Sequence, residues 1–205
     1  MNLFSTLKRG FDILVSLSAL LLIWPILAGI ALAIRLGSKG PALFRQERAG
    51  KDGKPFVFYK FRTMKADADP FGPSPGSGRD PRLTKTGRIL REYSLDELPQ
   101  LFNILKGDMS LVGPRPLYLS QIFEWNERQK KRLLVRPGLT GLAQISGRAE
   151  ITREEKLELD AQYVETASFL ADVKIILATI TQVLMRRGIY EKRYSQEEYT
   201  RSAKS

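Results

Sequence analysis

The chain has no cysteine and no histidine. Without cysteine there is no disulfide framework, no thiolate metal site and no thiol nucleophile. Without histidine, a general base must be Asp, Glu, Lys or Tyr. Any metal must then sit among oxygen ligands, which points to magnesium, manganese or calcium over zinc. Acidic residues are the minority: 22 Asp and Glu against 33 Lys and Arg leave a formal charge of +11. The positive excess is spread along the chain and favours anionic partners: nucleic acid, lipid headgroups or nucleotide phosphates. Nucleic acid drops out, because the basic residues are not interleaved with aromatic platforms or set in a binding motif. Glycine loops of the Walker and Rossmann types are also missing, which excludes an ordinary ATPase or dehydrogenase. A length of 205 residues fits one domain with an appended anchor.

What is present begins with a long apolar segment. Residues 13–34 contain no charge, enough for a helix to cross a hydrocarbon core. No small-x-small cleavage site follows, so a simple signal peptide is excluded. Lys8 and Arg9 precede the segment; Arg35, Lys39, Arg45 and Arg48 follow it. The positive-inside rule places both flanks on the cytoplasmic side, which one straight span cannot do. Pro25 sits near the middle, where it kinks a helix. The expectation is a re-entrant helix-break-helix anchor over residues 1–36, bent at Pro25. A cytosolic-face catalytic domain follows over 37–205. The fold class is mainly α with a small β-hairpin: a monotopic membrane protein with interfacial amphipathic helices.

Beyond the anchor, residues 43–61 read as a hairpin around Lys51-Asp52-Gly53-Lys54. Residues 66–82 are rich in proline and glycine and read as a functional loop. Helices are expected over 86–93 and 98–105, and a strongly charged helix over 119–134, ended by Arg136-Pro137-Gly138. Thr152 and Glu155 form a capping-box pattern that opens a helix over 152–164. Residues 169–185 read as an amphipathic helix. The tail after Arg186 is charged and expected to fray.

The chemistry concentrates in residues 94–116, SLDELPQLFNILKGDMSLVGPRP. Asp96 and Glu97 have a structural reading: Asp96 as an N-cap, or Ser94 and Glu97 as a capping box. They also have a chemical one. A carboxylate at a helix N-terminus stays ionised, and an ionised aspartate needs no partner base to act as a nucleophile. A divalent cation on one carboxylate would offset its repulsion of a phosphate. Gly107-Asp108 reads as a turn after a helix-ending glycine. In Gly113-Pro114-Arg115-Pro116, two prolines fix the backbone around one arginine. That arginine can recognise phosphate or pair with Asp108. Lys60, Arg62, Arg88, Arg136 and Arg148 are solvated charges taken singly and diphosphate ligands taken together.

These residues resemble the bacterial sugar transferase family, the monotopic phosphoglycosyl transferases. The resemblance rests on Tyr59-Lys60-Phe61-Arg62-Thr63-Met64, on 94–116, on Val135-Arg136-Pro137-Gly138-Leu139-Thr140-Gly141 with Gln144 and Gly147-Arg148, and on Phe169-Leu170-Ala171-Asp172-Val173-Lys174. It covers nearly the whole chain and looks like the small family members. It implies that Asp96 attacks the β-phosphate of a UDP-sugar, releases UMP and carries a phosphosugar. A polyprenol phosphate, undecaprenyl phosphate, would then accept it. Glu97 would hold Mg2+, with Mn2+ as an alternative. Lys60, Arg62, Arg88, Arg115, Pro116, Arg136, Arg148 and Asp160 would serve phosphate, nucleotide or local structure. The implied location is the cytoplasmic face of the bacterial inner membrane, with membrane lipids as partners and a homodimer possible. The family's usual Ser-Pro at the membrane kink is Trp24-Pro25 here. Direct transfer without a covalent intermediate and a membrane-anchored binding module are the rival readings. Sugar specificity is expected in 66–82 and 141–150.

Overall fold

The computed structural model describes residues 3–186 and 188–190. Helix α1, Leu3–Gly37, is 35 residues long and runs through Pro25. The expected break is therefore not an interruption of the helix. A proline removes one backbone bond, and the turns on either side keep theirs. Asp12, Ser16, Leu20 and Ile34 are its buried residues, spaced by helical turns along one face. Phe11, Val15, Ala19, Ile23 and Leu27 flank that stripe and pack on the main core with Leu101, Ile104, Met109 and Val112. Ile34 packs with Phe61 and Leu90 in a second core. The opposite face shows Leu14, Leu21, Leu22, Trp24, Ile26 and Leu32 to the outside. The helix is long and apolar enough to cross a membrane, with only 11% of its most apolar window buried.

Polar clamps fasten both ends of α1 to the rest of the chain. Lys8 pairs with Asp172 at 2.5 Å, and Tyr163 donates to the same carboxylate at 2.7 Å. Arg9 donates to the carbonyls of Ile104 and Leu105 at 2.6 and 2.9 Å. Asp12 accepts the Leu111 N–H at 3.0 Å. At the other end, Arg62 donates to the Ser38 carbonyl and hydroxyl at 3.0 and 2.9 Å, and to the Lys39 carbonyl.

Strands β1 (Leu43–Ala49) and β2 (Pro55–Phe61) form the expected antiparallel hairpin, in register from Leu43↔Phe61 to Ala49↔Pro55. Asp52 and Gly53 turn it with φ of 57° and 73°, the left-handed conformation that glycine and aspartate tolerate. Residues 66–82, all described, form no helix or strand; a Met64↔Leu83 bridge closes the loop. Helix α2 (Lys85–Glu92) is capped by Thr84, whose side chain accepts from Gly87 N. Helix α3 (Gln100–Lys106) ends at Gly107, φ 94°.

Strand β3 (Ser110–Val112) pairs in parallel with the later β4 (Gly138–Thr140). This pairing is not foreseen, since three residues are too few for an alternating pattern. The single helix expected over 119–134 is instead three short pieces: a 3-10 turn Leu119–Glu124, α4 (Glu127–Lys130) and a 3-10 turn Lys131–Leu134. The break falls at Trp125, whose backbone is extended (φ −86°, ψ 137°). Its ring is buried at 4% exposure, with the Arg132 guanidinium 4.7 Å away. Asn126 and Gln129 then form a new capping box. After α5 (Leu142–Ile145) comes α6 (Arg153–Thr166), opened by the expected Thr152–Glu155 box. Helix α7 spans Phe169–Met185, the expected bounds. Most of the expected frayed tail lies outside the described residues.

Candidate active site

The two carboxylates sit between α2 and α3. Ser94 takes a left-handed backbone, φ 57°, and opens a 3-10 turn, Leu95–Glu97. Its side chain makes no cap hydrogen bond, so neither helix-start arrangement read from the sequence is the one found. The Ser94 hydroxyl instead accepts from Arg148 at 2.7 Å. Arg148 also has φ of 57°, and strained backbone of this kind gathers at functional sites. The turn buries Asp96 to 2% exposure and sets it 2.6 Å from the Lys60 ammonium. Glu97 faces the other way, to Arg115, with contacts of 2.7 and 3.5 Å.

Lys60 reaches Asp96 because β2 is tied to α3. Asn103, fully buried, accepts from Tyr59 N at 3.0 Å and donates to the Val57 carbonyl at 2.6 Å. Its side chain thus stands in for a neighbouring strand on the open edge of β2. It also donates to Asp108 at 3.2 Å. Arg115 is placed by a second buried pair. Arg132 binds Asp160 at 2.8 Å, both side chains 3% exposed. Arg132 also donates to the Arg115 carbonyl, while Asp160 accepts the Arg115 backbone N–H.

The electrostatics follow from burial and these pairs. Burial pushes the Lys60 ammonium down, and Asp96 opposes it. Burial pushes Glu97 up, but Arg115 and Lys60, helped by Arg148, hold it down to about 2. Burial lowers Arg91 and Arg148, and the field of Asp96 and Glu97 acts against that on both. Burial raises Asp160 to about 6 in spite of Arg132. Glu97 is therefore ionised at neutral pH, and cations outnumber carboxylates around the pair. A site with surplus buried positive charge suits a polyanion such as a diphosphate.

The structure brings Lys60, Asp96, Glu97, Arg115 and Arg148 together. Pro116 lies next to Arg115 in the wall that Trp125 and Arg132 share. Arg62 is placed elsewhere: its guanidinium is spent on the Ser38 and Lys39 carbonyls just past the end of α1. Arg136 is also away from the pair, donating to the Gly107 carbonyl at 2.8 Å, at the far end of α3. Asp160 lies beneath the Arg115 turn. Arg88 is exposed on α2, its stem near Gly78.

Arg91 is the site residue that sequence reasoning missed. The signal for it lies in the fold and not in the sequence. A methyl group on Gly87 would lie 1.9 Å from the Thr63 carbonyl oxygen, so Gly87 marks the inner face of α2. The residue four positions on shares that face, and that residue is Arg91.

No cluster of three or more acidic side chains is present among the described residues. Asp96 and Glu97 alone are too few for an all-protein magnesium cage. They fit the common arrangement in which Mg2+ takes one or two carboxylates and completes its shell with water and substrate phosphate.

A carboxylate pair ringed by cations, next to a helix of membrane length, suits an enzyme that transfers phosphate-linked groups. The chain belongs to the bacterial sugar transferase family, whose profile matches residues 3–186. It is 45% identical to the uncharacterized sugar transferase EpsL of Bacillus subtilis (strain 168), over 96% of each chain. It is 42% identical to the UDP-glucose:undecaprenyl-phosphate glucose-1-phosphate transferase of Escherichia coli (strain K12), over 90% of this chain but only 41% of that protein. The enzyme of the same name from Caulobacter vibrioides is 43% identical over 89% of this chain and 72% of its own. The chain thus spans less than half of some of the relatives it matches.

Proposed function

We propose that the protein transfers a sugar-1-phosphate from a UDP-sugar to a polyprenol phosphate, undecaprenyl phosphate. The names of the relatives support the donor and acceptor classes. The observation that carries the mechanism is the Lys60–Asp96 and Glu97–Arg115 pairing at the mouth of α3. An Asp96 carboxylate oxygen attacks the phosphorus that bears the sugar. The bond from that phosphorus to the bridging oxygen breaks, and UMP leaves with the electron pair. An oxygen of the polyprenol phosphate next attacks the same phosphorus and breaks the bond to Asp96. The aspartate is regenerated and a polyprenyl diphosphosugar is released. No proton has to move at Asp96 in either half, which suits a chain without histidine.

Lys60 orients the Asp96 oxygen and spreads the charge that builds in each transition state. Arg91, Arg115 and Arg148 hold the diphosphate. Glu97 would hold magnesium, assisted by the phosphates; the ion supplies charge neutralisation at the transferring phosphoryl group.

The membrane part of the account rests on α1. Both ends of this helix are clamped to the same catalytic body, through Arg9 and through Arg62. A helix that crossed the bilayer would carry its ends to opposite sides. A re-entrant course, bent at Pro25 and returning to the cytoplasmic face of the inner membrane, agrees with both clamps. It would hold the site at the depth of the acceptor's phosphate.

The test is UMP release from a panel of UDP-sugars with undecaprenyl phosphate and magnesium. Turnover on at least one sugar is expected, and Asp96→Asn should abolish it. Silence across the panel from folded, membrane-reconstituted protein, or turnover that survives Asp96→Asn, would contradict the reading.

A further inference from the structure

The chain leaves α7 through two left-handed residues, Arg186 (φ 52°) and Gly188 (φ 60°). They turn it back across the mouth of the site. Arg186 donates to the Tyr93 hydroxyl and stacks on the Tyr93 ring at 4.1 Å. Gly188 lies against Gly147 and Arg148: a methyl group there would meet the Arg148 Cβ at 2.9 Å and the Gly147 carbonyl at 3.0 Å. Two residues further on, the Tyr190 hydroxyl reaches the proline-rich loop, where a methyl group on Gly78 would lie 2.9 Å from it. The same methyl group would be 3.4 Å from the Arg88 Cδ. Arg186, Gly188 and Tyr190 therefore touch three walls around Asp96: the end of α2, the Arg148 turn and the loop.

The Tyr190 hydroxyl is buried and has no hydrogen-bond partner among the described residues. A buried hydroxyl left in this state is costly unless a ligand completes it. Its surroundings say what the ligand is. Burial and the Glu92 carboxylate push the phenol up, Arg91 and Arg88 act against them, and Asp96 adds to the rise. The phenol thus stays protonated at neutral pH and is available as an O–H donor. With Arg88 and Arg91 beside it, the group that accepts from all three is an anionic oxygen.

We propose that Tyr190 is a substrate-binding residue: its hydroxyl donates to the diphosphate of the nucleotide sugar, and the strap anchored by Arg186 and Gly188 positions it there. This rests on the transferase reading above and adds to it a binding residue from beyond α7.

The experiment is steady-state kinetics on the full chain in nanodiscs, with UDP binding by calorimetry as a second readout. For Tyr190→Phe, the KM for the UDP-sugar and the Kd for UDP should each rise about 10-fold, the loss of one hydrogen bond to a charged group. The KM for polyprenol phosphate and the melting temperature should not move. Gly188→Ala, which keeps the tyrosine but displaces the strap, should raise the same KM and Kd and leave the KM for polyprenol phosphate in place, at some cost in melting temperature. A Tyr190→Phe protein with wild-type KM and Kd overturns the inference. So does a Tyr190→Phe protein whose melting temperature falls while both KM values rise, since that marks a structural role. If the wild type itself neither turns over nor binds UDP, the transferase reading fails and this inference with it.

Discussion

Lys60 and Asp96 meet at 2.6 Å with little water around them, so neither side chain can be changed alone without cost. Lys60→Met would leave the Asp96 carboxylate buried without its cation. The expected result is a loss of stability of about 3–5 kcal/mol, seen by denaturant unfolding, and a fall in kcat of roughly 100-fold or more from lost transition-state stabilisation. A variant with wild-type kcat would remove Lys60 from the mechanism. Asp160 gives a pH test. Its carboxyl titrates at about 6, raised from 3.8 by burial, so it takes up a proton as the pH falls through 6. Arg132 then loses its counter-charge, and the turn that aims Arg115 loosens. The kcat/KM profile should show an acid limb near pH 6 that Asp160→Asn lacks, at a lower plateau. A limb that persists in Asp160→Asn assigns it to another group. The stability contributions run in opposite directions. The raised Asp160 pKa favours the folded state below about pH 4, and that preference is lost as pH rises through about 6. Glu97, depressed from 4.5 to about 2, stabilises the fold above about pH 4.5, and this is lost as pH falls towards 2. At this scale the sequence singled out Asp96, Glu97 and Arg115, which the fold brings together; the roles expected of them came from the family resemblance. It did not separate Arg62 and Arg136, which bind backbone carbonyls, from arginines that face the carboxylates. All of them sit beside similar residues, and only the fold decides which way each guanidinium turns.

Among the elements, α3 links the carboxylate pair to the long helix α1. It starts beside Asp96, packs on α1 through its middle and ends under Arg9. Through Asn103 it also fixes β2, and with it Lys60. Asn103→Ala would leave the Val57 carbonyl and the Tyr59 N–H without these partners. A stability loss of about 1–3 kcal/mol is expected, with a drop in kcat larger than in a variant of equal stability loss elsewhere. Unchanged kcat at reduced stability would limit Asn103 to a structural role. The hairpin, α6 and α7 were legible because their signals are local: an Asp-Gly turn, a Thr-x-x-Glu box and an apolar face. The segment 119–134 was not, because its charges suit a helix throughout. What breaks it is Trp125, which leaves the helix to reach a buried site against Arg132. The β3–β4 pairing joins residues far apart in the chain, and nothing in either three-residue run announces the other.

For the molecule as a whole, the amphipathic design is plain. One face of α1 packs on the catalytic body, while its outer face and the exposed Phe169, Leu170, Leu177, Ile180 and Leu184 of α7 are apolar. Charge counting along the sequence led to the expectation of both flanks of α1 on one side of the membrane. The clamps at Arg9 and Arg62 give a physical basis for that argument, since they fasten both ends to one body. The strap at Tyr190 was invisible beforehand, because its sequence reads as a charged tail and its role comes only from where α7 ends. The central claim, that Asp96 carries the phosphosugar, has a direct test. The protein is incubated with magnesium and a UDP-sugar labelled in the sugar, without polyprenol phosphate, and the label bound to the chain is compared with UMP released. The account predicts equal amounts of both, and neither on Asp96→Asn. UMP release with no label on the protein, or label that persists in Asp96→Asn, would contradict it.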